Sequence, residues 1–133
     1  RPGMKRSFLF GKVHRVTVTA ADLEYEGSLT LDAELMEAAH LFPYQRIEVY
    51  DVTRGTRFAT YLIEGPRGAG DCCVNGAAAH LVEVGDKVIV AAYCELEDRE
   101  IAGHRPRIVL VGEGNRPYEI KDAETAFAKV PVR

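Results

Sequence analysis

The sequence predicts a mainly β fold, a small barrel that carries one or two short helices. Three observations carry that expectation. Short runs rich in β-branched and aromatic residues recur at close spacing along the chain, as in domains built from sheet. One segment, after Asp32, has clear helical periodicity. Between the apolar runs stand Gly, Pro, Asn and Asp, the residues that turn a chain from one strand to the next. A closed sheet would also leave no aggregation-prone edge.

The elements follow in order. Residues 13–19 are dominated by β-branched side chains and predict a strand. Simple alternation puts Phe8, Phe10, Lys12, His14, Val16 and Val18 on one face, so two basic groups share it with apolar ones. Residues 22–25 predict a turn and 28–31 a short strand. Asp32 is the expected N-cap of a helix that runs to about His40, with Leu35, Met36 and Ala39 on one side and Pro43 beyond its end. Residues 47–52 and 57–64 predict two strands joined by Thr53-Arg54-Gly55-Thr56, a hairpin signal. Residues 65–70 predict a loop, 72–74 a short strand, Asn75-Gly76 a tight turn and 77–81 one helical turn. The apolar run 86–93 is long enough to be a strand buried on both faces, and 108–111 predicts another strand. After about Asn115 the pattern weakens, with helical tendency around 123–128 and mobility expected for the tail.

At 133 residues the chain is expected to be one domain, over 4–115, followed by a tail over 116–133. Met4 is the expected natural start, with residues 1–3 an appended remnant. Charged residues make up 28% and the net charge is −3, which argues against a nucleic-acid partner, since those favour a basic excess. The apolar runs fall well short of the ~20 residues of a membrane span, and the N-terminus has no apolar signal core. A cytoplasmic protein is expected. The three cysteines, Cys72, Cys73 and Cys94, include no CxxC pair, so no structural zinc site is expected. They read as buried, unreactive thiols of a reducing compartment.

Several motifs are absent. The glycine-rich Gly65-Pro66-Arg67-Gly68-Ala69-Gly70 lacks the GK[ST] of a phosphate loop, and Pro66 removes an amide donor. His14, His40, His80 and His104 form no HxH or HExxH pair, so no metal is expected. His40 suits a helix C-terminus. Ser28 follows Gly27 without the second glycine of a serine-hydrolase elbow. Taken alone, Gly-Ser is a plain turn.

Four blocks change that reading. The first is Lys12-Val13-His14-Arg15-Val16-Thr17-Val18-Thr19-Ala20-Ala21-Asp22-Leu23-Glu24-Tyr25-Glu26-Gly27-Ser28. The others are Asp51-Val52-Thr53-Arg54-Gly55-Thr56-Arg57-Phe58-Ala59-Thr60-Tyr61, Val74-Asn75-Gly76-Ala77-Ala78-Ala79-His80 and Val84-Gly85-Asp86-Lys87-Val88-Ile89. Together, in this order and spacing, they resemble the processing region, substrate hairpin, NGAAAH loop and following strand of pyruvoyl-dependent aspartate 1-decarboxylases. The resemblance runs from Met4 to about Asn115 and leaves the tail and the paired Cys72–Cys73 outside any motif.

The resemblance implies a double-psi β-barrel and a homotetramer with active sites between subunits. It implies L-aspartate as substrate, β-alanine and carbon dioxide as products, and a place in pantothenate and coenzyme A biosynthesis. It further implies a precursor that cleaves itself between Gly27 and Ser28, unaided or with a maturation partner, and converts Ser28 to a covalent pyruvoyl cofactor. No pyridoxal phosphate is expected. Glycine at 27 would relieve hindrance at the attacked carbonyl and tolerate unusual dihedrals. The pyruvoyl ketone would form a Schiff base with the substrate amine, Tyr61 would protonate the product carbon, and Arg57 would bind a carboxylate. Thr60 and Tyr25 would assist processing. Thr60, Gly76, Ala77, Ala78 and Lys12 would contact substrate, with His14 and Asn75 supporting. On a regular strand 57 and 61 share a face and Thr60 points away. Without the resemblance, Arg57, Tyr61 and Lys12 would be surface and packing residues. Two other readings stay open: a pyruvoyl decarboxylase of another acidic amino acid such as glutamate, and a double-psi barrel that serves only as a binding module.

Overall fold

A computed structural model of the chain describes residues 3–130. Nine strands make up nearly half of it: β1 (Lys5–Thr17), β2 (Ala20–Asp22), β3 (Ser28–Asp32), β4 (Arg46–Asp51), β5 (Arg57–Gly65), β6 (Cys72–Asn75), β7 (Lys87–Glu97), β8 (Arg107–Val111) and β9 (Pro117–Lys121). Two short α-helices, α1 (Ala33–Ala38) and α2 (Asp98–Ile101), and two 3-10 turns, Gly76–Leu81 and Glu113–Asn115, lie between them. The mainly β expectation holds.

The strands pair in the order β2-β6-β3-β5-β4-β7-β1-β8-β9. Among the described residues this order has two ends, where a barrel predicts a closed ring. Three of the pairings are parallel: β1 with β8, β2 with β6 and β3 with β5. The chain after β1 ties distant parts together. Thr19 N donates to Cys72 O at 2.8 Å, Val18 N to Asp86 O at 2.9 Å, and Gly85 N to Val18 O at 2.8 Å. Val13, Leu29, Leu31, Leu62, Val74 and Val90 are fully buried in the core between these segments.

β1 departs from the alternation that its sequence suggests. Its register against β7 shifts between Leu9 and Gly11 and again between His14 and Val16. Arg15, at φ +67°, is the extra residue of the second bulge. Each extra residue reverses which face the following side chains take. Val13, Val16 and Val18 are therefore all buried, while Lys12 and His14 are not fully so. The two basic residues do not share a face with Val16 and Val18.

α1 begins where Asp32 predicts. The Asp32 side chain accepts from Glu34 N at 2.8 Å, and also from Gly68 N and Gly70 N, each at 2.9 Å. One carboxylate thus caps the helix and closes the 65–70 loop. Helix α1 ends at Ala38, before the expected His40, because His40 turns left-handed at φ +59° and Leu41 N bonds back to Met36 O at 2.8 Å. The tail also differs. Residues 117–121 form β9 against β8, and 123–128 hold a turn where helix was expected. The remnant expected at the start, residues 1–3, lies largely outside the described residues.

Burial opposes the charge of Asp32, but the backbone N–H groups of Gly68, Glu34 and Gly70, helped by Arg116, hold its pKa below the ordinary carboxylate value. A lowered folded pKa gives stability that is fully present above the unfolded value and lost as pH falls through the folded one. Asp32→Asn removes an acceptor from a buried site and should cost about 1–3 kcal/mol. Urea melts should place the variant below wild type at pH 7, with the gap closing as the solution is acidified. An equal gap at both ends would show that the carboxylate charge plays no part.

Candidate active site

The two strands that flank β6 bring the predicted processing turn to one place. β6 pairs in parallel with β2, where Asp22 meets Asn75, and antiparallel with β3, where Ser28 meets Asn75. Residues 23–27 therefore leave and return on either side of the same asparagine. Ser28 is 3% exposed and Asn75 4% exposed. Asn75 Nδ2 donates to Ser28 Oγ at 3.1 Å, and Ser28 Oγ donates to Glu26 O at 3.3 Å. The hydroxyl is thus almost fully buried, on the residue that directly follows the Gly27 carbonyl.

Gly76 sits against this turn. It is left-handed, at φ +69°, and a Cβ there would lie 2.6 Å from Gly27 Cα and 2.8 Å from Gly27 N. Gly27 itself is outside the left-handed region, and a Cβ on it would meet only Asn75 O, at 4.0 Å. The conformational freedom expected of Gly27 is therefore required of Gly76. Tyr25 is 63% exposed, so its ring faces solvent, and its carbonyl rather than its phenol lies near Gly76. Ala77 is exposed and Ala78 half-buried on the 3-10 turn that follows.

β5 supplies the next groups. Its burial alternates, with Phe58, Thr60 and Leu62 inward and Arg57, Ala59 and Tyr61 outward. Thr60 lies opposite buried Ile47. The parallel register of Leu29 with Leu62 puts Ser28 alongside Tyr61, one step back and on the face away from the core. The Tyr61 ring stacks on Tyr44 at 6.4 Å between centroids. Arg57 is four residues away, about 13 Å along the strand at ~3.3 Å per residue. Its guanidinium lies 4.5 Å over the Tyr50 ring, and the Tyr50 hydroxyl bonds that of Tyr93 at 2.7 Å. Burial and that bond push the Tyr50 phenol up to about 12.

Lys12 and His14 are not gathered with Ser28 in the single chain. They lie on β1, which β7, β4 and β5 separate from β3 in the strand order. Lys12 Nζ pairs with Glu124 Oε2 at 2.7 Å. Burial, then the charges of Lys12 and Arg15, lower the His14 pKa to about 4. It is therefore neutral at neutral pH, not the second cation that the sequence suggests. Its Nδ1 is buried without a hydrogen-bond partner.

Two polar residues beside Ser28 escaped the sequence reading. Thr30 accepts from Asn75 Nδ2 at 3.2 Å, and Cys73 Sγ donates to Asn75 Oδ1 at 3.0 Å. Each stands two residues from a recognised position on the same strand, so alternation alone puts Thr30 on the face of Ser28 and Cys73 on that of Asn75. Among the described residues no cluster of three or more His, Cys, Asp or Glu could hold a metal ion. No described helix is long and apolar enough to cross a membrane.

A buried hydroxyl next to a glycine carbonyl, with one amide donor on it, suits an intramolecular attack on the backbone. Residues 4–118 match the family model described as aspartate decarboxylase. The chain is similar to the aspartate 1-decarboxylase of Ralstonia nicotianae, 50% identical over 118 residues that cover 89% of this chain and 98% of that one. It is similar to that of Legionella pneumophila, 49% identical over 116 residues and 87% of each chain. With that of Syntrophobacter fumaroxidans it shares 51% identity over 114 residues, 86% of this chain and 92% of the other.

Proposed function

The chain belongs to the aspartate decarboxylase family, and we propose that it converts L-aspartate to β-alanine and carbon dioxide with a pyruvoyl group made from its own Ser28. The observation that carries this reading is the buried Ser28 hydroxyl held by Asn75 beside the Gly27 carbonyl. A serine in that setting fits as the source of the group.

Self-cleavage proceeds in balanced steps. Ser28 Oγ bonds to the Gly27 carbonyl carbon, the Gly27–Ser28 C–N bond breaks, and the hydroxyl proton passes to the Ser28 nitrogen, which leaves an ester. Loss of the Ser28 Cα proton then expels Gly27 as a carboxylate. Water hydrolyses the dehydroalanine that remains, and ammonia leaves. The Asn75 N–H facing Oγ favours the charge that passes through that oxygen, as donors aimed at developing charge do.

Decarboxylation at Cα needs an electron sink, which the pyruvoyl ketone supplies once formed. Arg57 holds a substrate carboxylate, since its planar fork can give two parallel hydrogen bonds. Tyr61, alongside position 28, delivers the phenol proton to the substrate Cα. Asn75 and the Gly76, Ala77 and Ala78 backbone add polar contacts on the opposite side. Lys12, His14 and Arg57 are remote from Ser28 within one chain, which favours a homotetramer whose neighbouring subunit brings them to the site. Thr60 faces the core of its own chain, so its part in processing is to hold β5. The cytoplasm is the compartment that suits these reduced thiols and this substrate.

Products decide the substrate. Aspartate should give β-alanine, and glutamate little γ-aminobutyrate. γ-Aminobutyrate as the main product would move the assignment to another acidic amino acid.

A further inference from the structure

On the face of β3 and β6 that carries Ser28, every polar atom of the Asn75 carboxamide is engaged. Nδ2 donates to Ser28 Oγ at 3.1 Å and to Thr30 Oγ1 at 3.2 Å. Oδ1 accepts from Cys73 Sγ at 3.0 Å. The register creates this set, with Ser28 opposite Asn75 and Thr30 opposite Cys73. We propose that Cys73 and Thr30 are positioning residues for cleavage, which fix the Asn75 carboxamide with its N–H groups toward Ser28 Oγ. The inference rests on the reading of Gly27–Ser28 as the processed bond.

A carboxamide has two orientations of nearly equal shape, related by exchange of its oxygen and nitrogen. Near Ser28 only one is useful. The hydroxyl hydrogen already points to Glu26 O, so Oγ can accept a bond while its proton is committed elsewhere. In the flipped orientation Oδ1 would face Oγ, lone pair to lone pair. Nδ2 would face sulfur, a weak acceptor. The Cys73 S–H is the only group of the set that must donate to Oδ1, so it sets the direction. Burial pushes the Cys73 thiol up, so it keeps that proton at neutral pH. Thr30 then takes the second Nδ2 hydrogen. With Asn75 and Ser28 almost fully buried, water has little access to replace a lost partner.

During the acyl shift, the Oγ–C bond to Gly27 forms, the Gly27–Ser28 C–N bond breaks and the hydroxyl proton ends on nitrogen. Charge passes through Oγ while this happens, and a correctly turned Asn75 faces it with a donor. A loosely turned Asn75 does so only part of the time.

Cell-free synthesis of the full chain, followed by intact mass against time, tests the proposal. Cys73→Ala and Thr30→Val should each slow the appearance of fragments 1–27 and 28–133 roughly three- to tenfold, the range of one neutral hydrogen bond. Cys73→Ser should cleave near the wild-type rate, because its hydroxyl can donate to the same Oδ1. In an Asn75→Ala background, Cys73→Ala should bring no further slowing, since the thiol acts through Asn75. Cleavage of Cys73→Ala at the wild-type rate would overturn the proposal. So would slowing that persists undiminished without Asn75, or that Cys73→Ser fails to relieve. A wild-type chain that never cleaves would instead overturn the reading of the bond itself, and this inference with it.

Discussion

Ser28→Ala should leave a single uncleaved chain whose β-alanine formation falls at least about a thousandfold, some 4 kcal/mol of barrier at 1.36 kcal/mol per tenfold. The reason is chemical rather than structural. Alanine has no Oγ to attack the Gly27 carbonyl, so no ester forms and position 28 stays an ordinary amide. An amide cannot accept the electrons released at the substrate Cα. The fold should survive, because the Ser28 hydroxyl makes just two hydrogen bonds, one from Asn75 and one to Glu26 O, and Asn75 keeps Thr30 and Cys73 as partners. Circular dichroism and a thermal melt close to wild type would separate lost chemistry from lost structure. Full decarboxylase activity in this variant would falsify the cofactor assignment.

Gly76→Ala should nearly stop cleavage while Ser28 remains intact. The new Cβ would stand 2.6 Å from Gly27 Cα and 2.8 Å from Gly27 N, both backbone atoms that cannot swing aside as a side-chain tip can. The left-handed φ of +69° adds about 1–2 kcal/mol for a residue with a Cβ. Relief requires the 25–27 turn to move away from Asn75. A displacement of about 1 Å at a reacting centre can cost on the order of a hundredfold in rate, and that is the slowing expected here. Gly27→Ala offers a contrast, since its Cβ has 4.0 Å to Asn75 O. The thermal midpoint should fall further for Gly76→Ala than for Gly27→Ala. Cleavage of Gly76→Ala at the wild-type rate would show that the close packing of the two glycines has no role.

Local features of the fold were legible in the sequence where local physics decides them. Asp32 signals a helix start because a carboxylate can accept the free N–H groups there, and α1 begins beside it. The hairpin 47–64 and the strand at 108 were readable from β-branched runs and a glycine turn. β1 was misread in face because a bulge at Arg15 leaves no mark in the hydrophobic pattern until the partner strand is known. β9 was missed because its residues are half-buried or exposed, so they carry no apolar stripe. α2 was missed because it is one turn long and held by a capping box between Glu97 and Glu100. Of the site, Gly27, Ser28, Asn75 and Gly76 were readable as motif blocks, yet their meeting depends on β6 lying between β2 and β3. Thr30 and Cys73 were passed over because no motif contains them, although strand alternation from Ser28 and Asn75 points to both.

The intact mass of the purified wild-type protein tests the central claim most directly. Cleavage at Gly27–Ser28 predicts two polypeptides, 1–27 and 28–133, with the larger one blocked to Edman chemistry and reactive toward ketone reagents. A single uncleaved chain that still makes β-alanine from aspartate, or a larger fragment with a free amino-terminal serine, would contradict it.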